Sequence, residues 1–330
     1  MAKLMKPEVS FIALFTCWTI SAQPPESGPL VSIIPRSASQ VAANPPGAPE
    51  GHLRIDSLLA LIPVHATASM GGNVTGLVRA NFRVFEDGVE QRITTFSKED
   101  APLSVGLVFD SSGSMTNKVR KSAEAAAAFF KTANADDEFF LVQFGERPKL
   151  LTPFTSDSGE IYSKIATCKP FGRTSLIDAI HVALVQMKRA KNSRKAIVIL
   201  SDGGDNRSRL TRGEIKSALL ESEVQLYAMG IFDPDDLGKH TREEENGPRL
   251  LDDLAESTGG RLYPVDNLDH LAAISETLGN TLRTEYLLGY SPLNHSRDGK
   301  YRRVNVDLVT APDLPVPHIS YRHGYYAPVE

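Results

Sequence analysis

LVFDSSGSM, residues 107–115, begins as a buried strand and then changes character. Leu107, Val108 and Phe109 are followed by Asp110, Ser112 and Ser114, three polar side chains at a spacing of two, with Gly113 set among them for a bend. A strand that ends on a carboxylate and a row of hydroxyls is presenting oxygen atoms to something. What flanks it decides the fold.

From 101 to about 283 apolar runs alternate with helical patterns. SVGLVFD (104–110), EFFLVQFG (138–145), KAIVILSD (195–202), VQLYAMGIF (224–232) and RLYPV (261–265) read as strands. VRKSAEAAAAFFKTA, LIDAIHVALVQMKRA, RGEIKSALLESE, RLLDDLAESTG and LDHLAAISETLGNTLRTE read as helices. Solid apolar strands separated by helices predict an α/β fold with a doubly wound, mostly parallel sheet covered on both faces. PKLLTPFT (148–155) follows its predecessor after a tight connection, which predicts one antiparallel edge strand.

On either side the pattern turns to short strands. Residues 53–100 contain LLALIPVHATA, a Gly71-Gly72-Asn73 turn and the Asp87-Gly88 hairpin signal inside NFRVFEDGVEQRITTFS. Residues 284–330 return to strand character in YLLGYSP, KYRRVNVDLVT and HISYRHGYY. The front segment is too short to bury a core alone. The two flanks are therefore expected to form one small β module, packed together beside the domain at 101–283.

Residues 23–52, rich in Pro, Ser, Gly and Ala, read as a flexible linker. Residues 1–22 have Lys3 and Lys6 before VSFIALFTCWTI and end on Ser21-Ala22, the pattern of a secretory signal. The apolar run is shorter than the ~20 residues of a spanning helix, and no other segment could cross a bilayer. Export to the periplasm, the cell surface or the outside follows as an expectation. Cys17 falls inside that signal, which leaves Cys168 without an intramolecular partner. A net charge of −4 with no basic stripe argues against nucleic acid as partner.

In a doubly wound sheet ligands gather beyond the carboxyl ends of the strands, where strand order reverses. Asp110 and Asp202 each close an apolar strand, so both carboxylates face one crevice if those strands are neighbours. In FGRTSLIDAI, Ser175 and Asp178 have the spacing of a capping box, which leaves the Thr174 hydroxyl free to point elsewhere, from a loop on the same crevice. Two carboxylates and three hydroxyls are hard oxygen donors suited to Mg2+, with Mn2+ or Ca2+ as alternatives. Hydroxyls carry no charge, so such an ion attracts a carboxylate from another molecule.

These residues resemble the metal-ion-dependent adhesion site (MIDAS) of von Willebrand factor A domains. DSSGS is similar to the DxSxS signature, GRTSL to the GGTxL loop with Arg173 in place of the second Gly, and ILSDGGDN to the LLTDG segment. The resemblance implies a metal held by Asp110, Ser112, Ser114, Thr174 and Asp202, the serines directly and the others directly or through water. EDGVEQRITTFSKEDAPLSVGLVFDSSGSM and the ending HGYYAP look like a group of exported bacterial proteins, a likeness that covers most of 53–330.

Each residue taken singly has a plain structural reading: a strand end, a Ser-rich turn, a helix cap. In this order and on this sheet, the joint pattern outweighs them. A serine hydrolase would need a base and an orienting acid, and G-x-S-x-G is absent. An aspartyl phosphatase would need a second carboxylate where Ser112 stands. The acidic stretch FDPDDLGKHTREEEN (232–246) lacks EF-hand spacing and reads as a solvated loop on the metal side. The expectation is an exported, non-enzymatic binding or adhesion module that captures Asp or Glu of a protein partner. The alternative is a structural part of a cell-envelope complex whose metal stabilises loops.

Overall fold

The computed structural model describes residues 59–68, 72–232, 246–310 and 316–329. The signal at 1–22, the linker at 23–52, residues 53–58, Gly71 of the predicted turn and residues 233–245 of the acidic loop lie outside the described residues.

The chain first lays down four strands, β1 (Ala60–Thr67), β2 (Phe82–Glu86), β3 (Val89–Gln91) and β4 (Ile93–Glu99). The β2–β3 turn is the Asp87-Gly88 hairpin read from sequence. Both residues take positive φ, 48° and 85°, the requirement for a turn whose twist matches the flanking strands.

Next comes the α/β layer. It contains β5 (Leu103–Asp110), α1 (Val119–Phe130), β6 (Glu138–Phe144), β7 (Lys149–Thr155), α2 (Ser158–Ala166), α3 (Leu176–Met187), β8 (Arg194–Ser201), α4 (Arg212–Ser222), β9 (Gln225–Ile231), α5 (Gly247–Ser257), β10 (Leu262–Val265) and α6 (Leu271–Arg283). Its six strands stand in the order β10-β9-β8-β5-β6-β7. All neighbours are parallel except β6 and β7, so the edge strand is antiparallel as expected. Every residue of β5 is buried, the signature of a central strand covered on both faces. Helices α1, α2 and α6 cover one face through Phe129, Ile161, Leu278 and Leu282. Helices α3, α4 and α5 cover the other through Ile180, Leu219 and Leu254. At Gly106 a Cβ would stand 2.2 Å from Cζ of Phe140, so the bare glycine makes room for a fully buried ring on the neighbouring strand.

The last strands are β11 (Glu285–Tyr290), β12 (Tyr301–Leu308), β13 (His318–Tyr321) and β14 (Gly324–Tyr326). Together with the first four they make two antiparallel sheets, β13-β1-β11-β4 and β14-β12-β2-β3. Their shared core includes Ile62, Val64, Phe82, Val84, Tyr286, Leu288, Val304 and Val306. Each sheet draws strands from both ends of the chain, which is why neither flank holds an apolar face alone. The α/β layer is thus an insertion: β4 leads into it, β11 leads out, and these two strands pair antiparallel from Glu285↔Glu99 to Tyr290↔Ile93.

The insertion is braced where it joins the sandwich. Arg194, at the start of β8, donates from Nε to Glu285 at 2.6 Å and also to the carbonyls of Ala101 and Leu282. Asp137 pairs with Arg283 and accepts from the backbone N–H of Leu103 and Asn134, each at 2.8 Å. These contacts lie at the amino ends of β5, β6 and β8. The carboxyl ends point the opposite way, away from the junction.

Candidate metal centre

Strands β5 and β8 are parallel neighbours, with Phe109 level with Leu200. The chain leaves β5 toward β6 on one side and returns to β8 on the other, so the crevice between them is the switch point. The register carries one refinement of the sequence reading: Ser201, not Asp202, stands level with Asp110, and Asp202 is one residue past the strand end.

Asp110 is fully buried. Its Oδ1 accepts from the Ser112 N–H at 2.8 Å, and its Oδ2 accepts from Ser201 Oγ at 2.5 Å. Burial and the charge of Asp202 both raise its carboxyl, to about 7, against the opposing pull of those hydrogen bonds. Asp202 is 6% exposed and, among the described residues, accepts only a long contact, 3.4 Å, from Gly204 N–H. Ser112 is buried, Ser114 is exposed, and their hydroxyls are 3.0 Å apart. Thr174 is buried, and its hydroxyl bonds to no described residue.

Three further loops converge on the first. Ser111 N–H and Oγ both donate to the carbonyl of Phe144, fixing the β5 loop to the end of β6. Phe171 N–H donates to the Ser111 carbonyl, and Gly113 N–H donates to the Gly172 carbonyl. Asn206 clasps Thr174 from both sides: its Oδ1 accepts from Thr174 N–H, and its N–H donates to the Thr174 carbonyl. The backbone thereby brings Asp110, Ser112, Ser114, Thr174 and Asp202 to one end of the sheet, on loops tied directly to one another.

The capping box read at Ser175 and Asp178 is not formed. Ser175 Oγ donates to the Gly145 carbonyl instead, and Asp178 accepts from the N–H groups of Arg209 and Leu210. Asp205 faces the first turn of α3, where the N–H groups of Ile177 and Leu176 favour its charged form and its carboxylate accepts from Ser208 Oγ at 2.6 Å, which in turn accepts from Asp178 N–H at 3.1 Å. Burial is the main influence on Asp205 and holds its carboxyl above the ordinary range. Sequence reasoning missed Asp205, Asn206 and Ser201. The only signal was their place in SDGGDN, directly around Asp202.

The donor set fits a hard divalent ion. Burial and the neighbouring Asp202 raise the cost of ionising Asp110, and a dication would reverse that penalty. The remaining donors, hydroxyls of Ser112, Ser114 and Thr174, are hard oxygens that add no further charge. Among the described residues no group of three or more His, Cys, Asp and Glu side chains is disposed to hold a metal, so an ion held here would depend on the hydroxyls. Cys168 lies behind the site, where Gln143 Nε2 donates to its sulfur at 3.1 Å; burial pushes its thiol up, away from thiolate character.

Residues 105–204 match the von Willebrand factor type A domain, and the mostly parallel sheet is a fold of that type. An uncharacterized protein of Borreliella burgdorferi is 24% identical over 182 residues, which are 51% of this chain; the chain spans about half, 52%, of that relative. A von Willebrand factor type A protein from Catenulispora acidiphila is similar in structure with a TM-score of 0.48 and 12% identity, over 82% of this chain and 73% of that one. The vWF domain of the type V pili tip protein Mfa5 from Porphyromonas gingivalis gives 0.44 and 15%, over 55% of this chain and 95% of that one. At these values neither structural likeness carries an inference about activity. No helix among the described residues is long and apolar enough to cross a membrane.

Proposed function

We propose that the von Willebrand factor type A domain at residues 105–204 is a metal-dependent protein-binding module of an exported chain, and not an enzyme. The observation that carries this reading is the pairing of buried Asp110 with Asp202 at adjacent strand ends, beside the Ser112 and Ser114 hydroxyls. Asp110, Ser112, Ser114, Thr174 and Asp202 would hold Mg2+. When bound, the ion supplies a positive centre that attracts an Asp or Glu side chain of a partner protein. The chain's own contribution is orientation. Ser201 aims Asp110, Asn206 holds the Thr174 backbone, and Ser111 fixes the first loop to β6. The junction with the sandwich lies at the opposite end of the sheet, so the sandwich does not cover the crevice.

The test is binding of envelope proteins to the purified chain with Mg2+ and with EDTA, beside Asp110→Ala. The expected result is loss of partner binding in EDTA and in the variant, with circular dichroism unchanged. Binding retained in both would remove the metal from the reading. A large rise in melting temperature on adding Mg2+, without any Mg2+-dependent partner, would assign the ion to loop stabilisation instead.

A further inference from the structure

The four loops that meet around the Ser112–Ser114 turn, at 111–118, 145–148, 168–175 and 202–211, differ sharply in what they bury and what they expose. Their acids point inward: Asp110 and Asp202 are buried, and Asp205 is occupied at the start of α3. Their exposed charges are almost all basic. Arg147, Lys169, Arg173, Arg207 and Arg209 are exposed, and Glu146 is the one exposed acid on these loops. None of the five cations is held in an ion pair among the described residues. On these four loops five exposed cations stand against one exposed acid, whereas the loop after β10, at the same end of the sheet, exposes Asp266 and Asp269.

Arg173 and Arg207 are the best placed of these. Arg173 sits between Gly172, whose carbonyl accepts from Gly113 N–H, and Thr174, whose carbonyl accepts from Arg207 N–H at 3.0 Å. Both therefore flank Thr174 directly, on backbone anchored to the Ser112–Ser114 loop. Beside them Phe171 is 76% exposed, although its own N–H is fixed to the Ser111 carbonyl. A phenyl ring held out on a pinned backbone spares a partner the cost of ordering the main chain and offers it apolar area. Gly172 must stay bare here: its φ is +82°, and a Cβ would stand 2.6 Å from Glu146 Cγ.

We propose that the ligand of this site is an acidic polypeptide segment, carrying at least one further carboxylate for Arg173 and Arg207 and an apolar side chain for Phe171. This rests on the reading of the site as a metal-dependent binder and names the partner class that the reading leaves open. The metal would fix one carboxylate, whereas the collar selects the neighbours of that carboxylate. Arginine suits the task because its planar fork pairs with carboxylates in two-point contacts. Exposed pairs change affinity only a few-fold each, so the collar sets preference and encounter rate while the metal sets the requirement for an acid.

The experiment uses the full chain and two fluorescent Gly-Ser peptides. One has a single Glu; in the other that Glu is flanked by two more Glu and a Leu. Anisotropy is read in Mg2+, in EDTA and at rising salt, and Mg2+ affinity is measured separately by calorimetry. The triacidic peptide is expected to bind more tightly, with an advantage that shrinks with salt. Arg173→Gln with Arg207→Gln is expected to remove about three- to tenfold of its affinity while leaving Mg2+ affinity and single-Glu binding unchanged. Phe171→Ser is expected to remove only the part of the advantage that the Leu supplies. Equal affinity for both peptides, or no change in the double-arginine variant, overturns the collar while Mg2+-dependent binding of the single-Glu peptide leaves the metal reading standing. Binding of neither peptide, or binding indifferent to EDTA and to Asp110→Ala, overturns the metal reading and this proposal with it. Equal binding of heparin without Mg2+ overturns the proposal as well, since the collar is then a general polyanion patch.

Discussion

Ser201 Oγ donates to Asp110 Oδ2 at 2.5 Å and accepts from the Gly203 N–H at 3.0 Å, so one hydroxyl couples the two carboxylate-bearing strand ends. Ser201 is wholly buried and has no room to turn elsewhere. It fixes the direction of Asp110 and the path of the chain around Asp202.

Removing that hydroxyl is therefore a test of orientation rather than of ligation. Groups that orient metal ligands typically contribute ten- to a hundredfold to affinity. Ser201→Ala is expected to weaken Mg2+ binding by about that factor in a calorimetric titration, with the far-UV spectrum preserved. Unchanged Mg2+ affinity would show that the Ser112 N–H suffices to place Asp110.

Asp205 makes a second, separable prediction. It closes the first turn of α3 from 29 residues further along the chain, joining the loop of Asp202 to the loop of Thr174. Loss of a capping carboxylate costs about 1–2 kcal/mol. Asp205→Ala is expected to lower the melting temperature accordingly, and Asp205→Asn, an equally good cap, to restore most of it. If both variants melt like the parent, the helix start is satisfied by other groups.

That cap marks the boundary of what could be read from the sequence. The strands were legible because a central parallel strand is apolar on both faces, as in residues 105–109 and 196–200. The antiparallel edge and the joint β module followed from connection length and from flanks too small to close. Helix α2 was passed over because only Ile161 and Ile165 of its nine residues are buried, too sparse a stripe to register. The Ser175-Asp178 pair had the right spacing and the wrong partners, since Gly145 and residues 209–210 compete for those side chains through tertiary contacts. Ser201 had no local signature at all: its role exists only because β5 lies beside β8.

The sandwich core holds a buried acid with two phenols. Glu86 Oε2 accepts from Tyr290 at 2.9 Å and from Tyr325 at 2.7 Å. Burial is the first cause of both phenols being held above the ordinary tyrosine value; at Tyr290 the charge of Tyr325 and then Glu86 add to it, and at Tyr325 Glu86 adds to it. With the folded value raised, their stabilisation is complete below the unfolded value of about 10 and is lost as pH climbs above it. Denaturant titrations are expected to give constant stability from neutral pH to about 10 and a fall beyond it. Tyr290→Phe with Tyr325→Phe is expected to flatten that alkaline fall. A fall equally steep in the double variant would place its origin in other groups.

The junction offers the sharpest contrast between breaking and replacing a pair. Arg194 and Glu285 have side chains only 10% and 6% exposed, and Arg194 also satisfies the carbonyls of Ala101 and Leu282 on the two chain crossings. Removing one member of a buried pair leaves a desolvated charge, at a cost of about 3–5 kcal/mol. Glu285→Ala leaves the guanidinium its two carbonyls, whereas Arg194→Ala strands the carboxylate and both carbonyls together. Arg194→Ala is therefore expected to be the more destabilising in urea unfolding, with Glu285→Gln milder than either. Because the pair lies at the end of the sheet remote from Asp110, Mg2+ affinity of the folded variants is expected to match the parent. A variant that stays folded yet loses Mg2+ binding would reveal coupling between the sandwich and the crevice that the hydrogen-bonded framework does not contain.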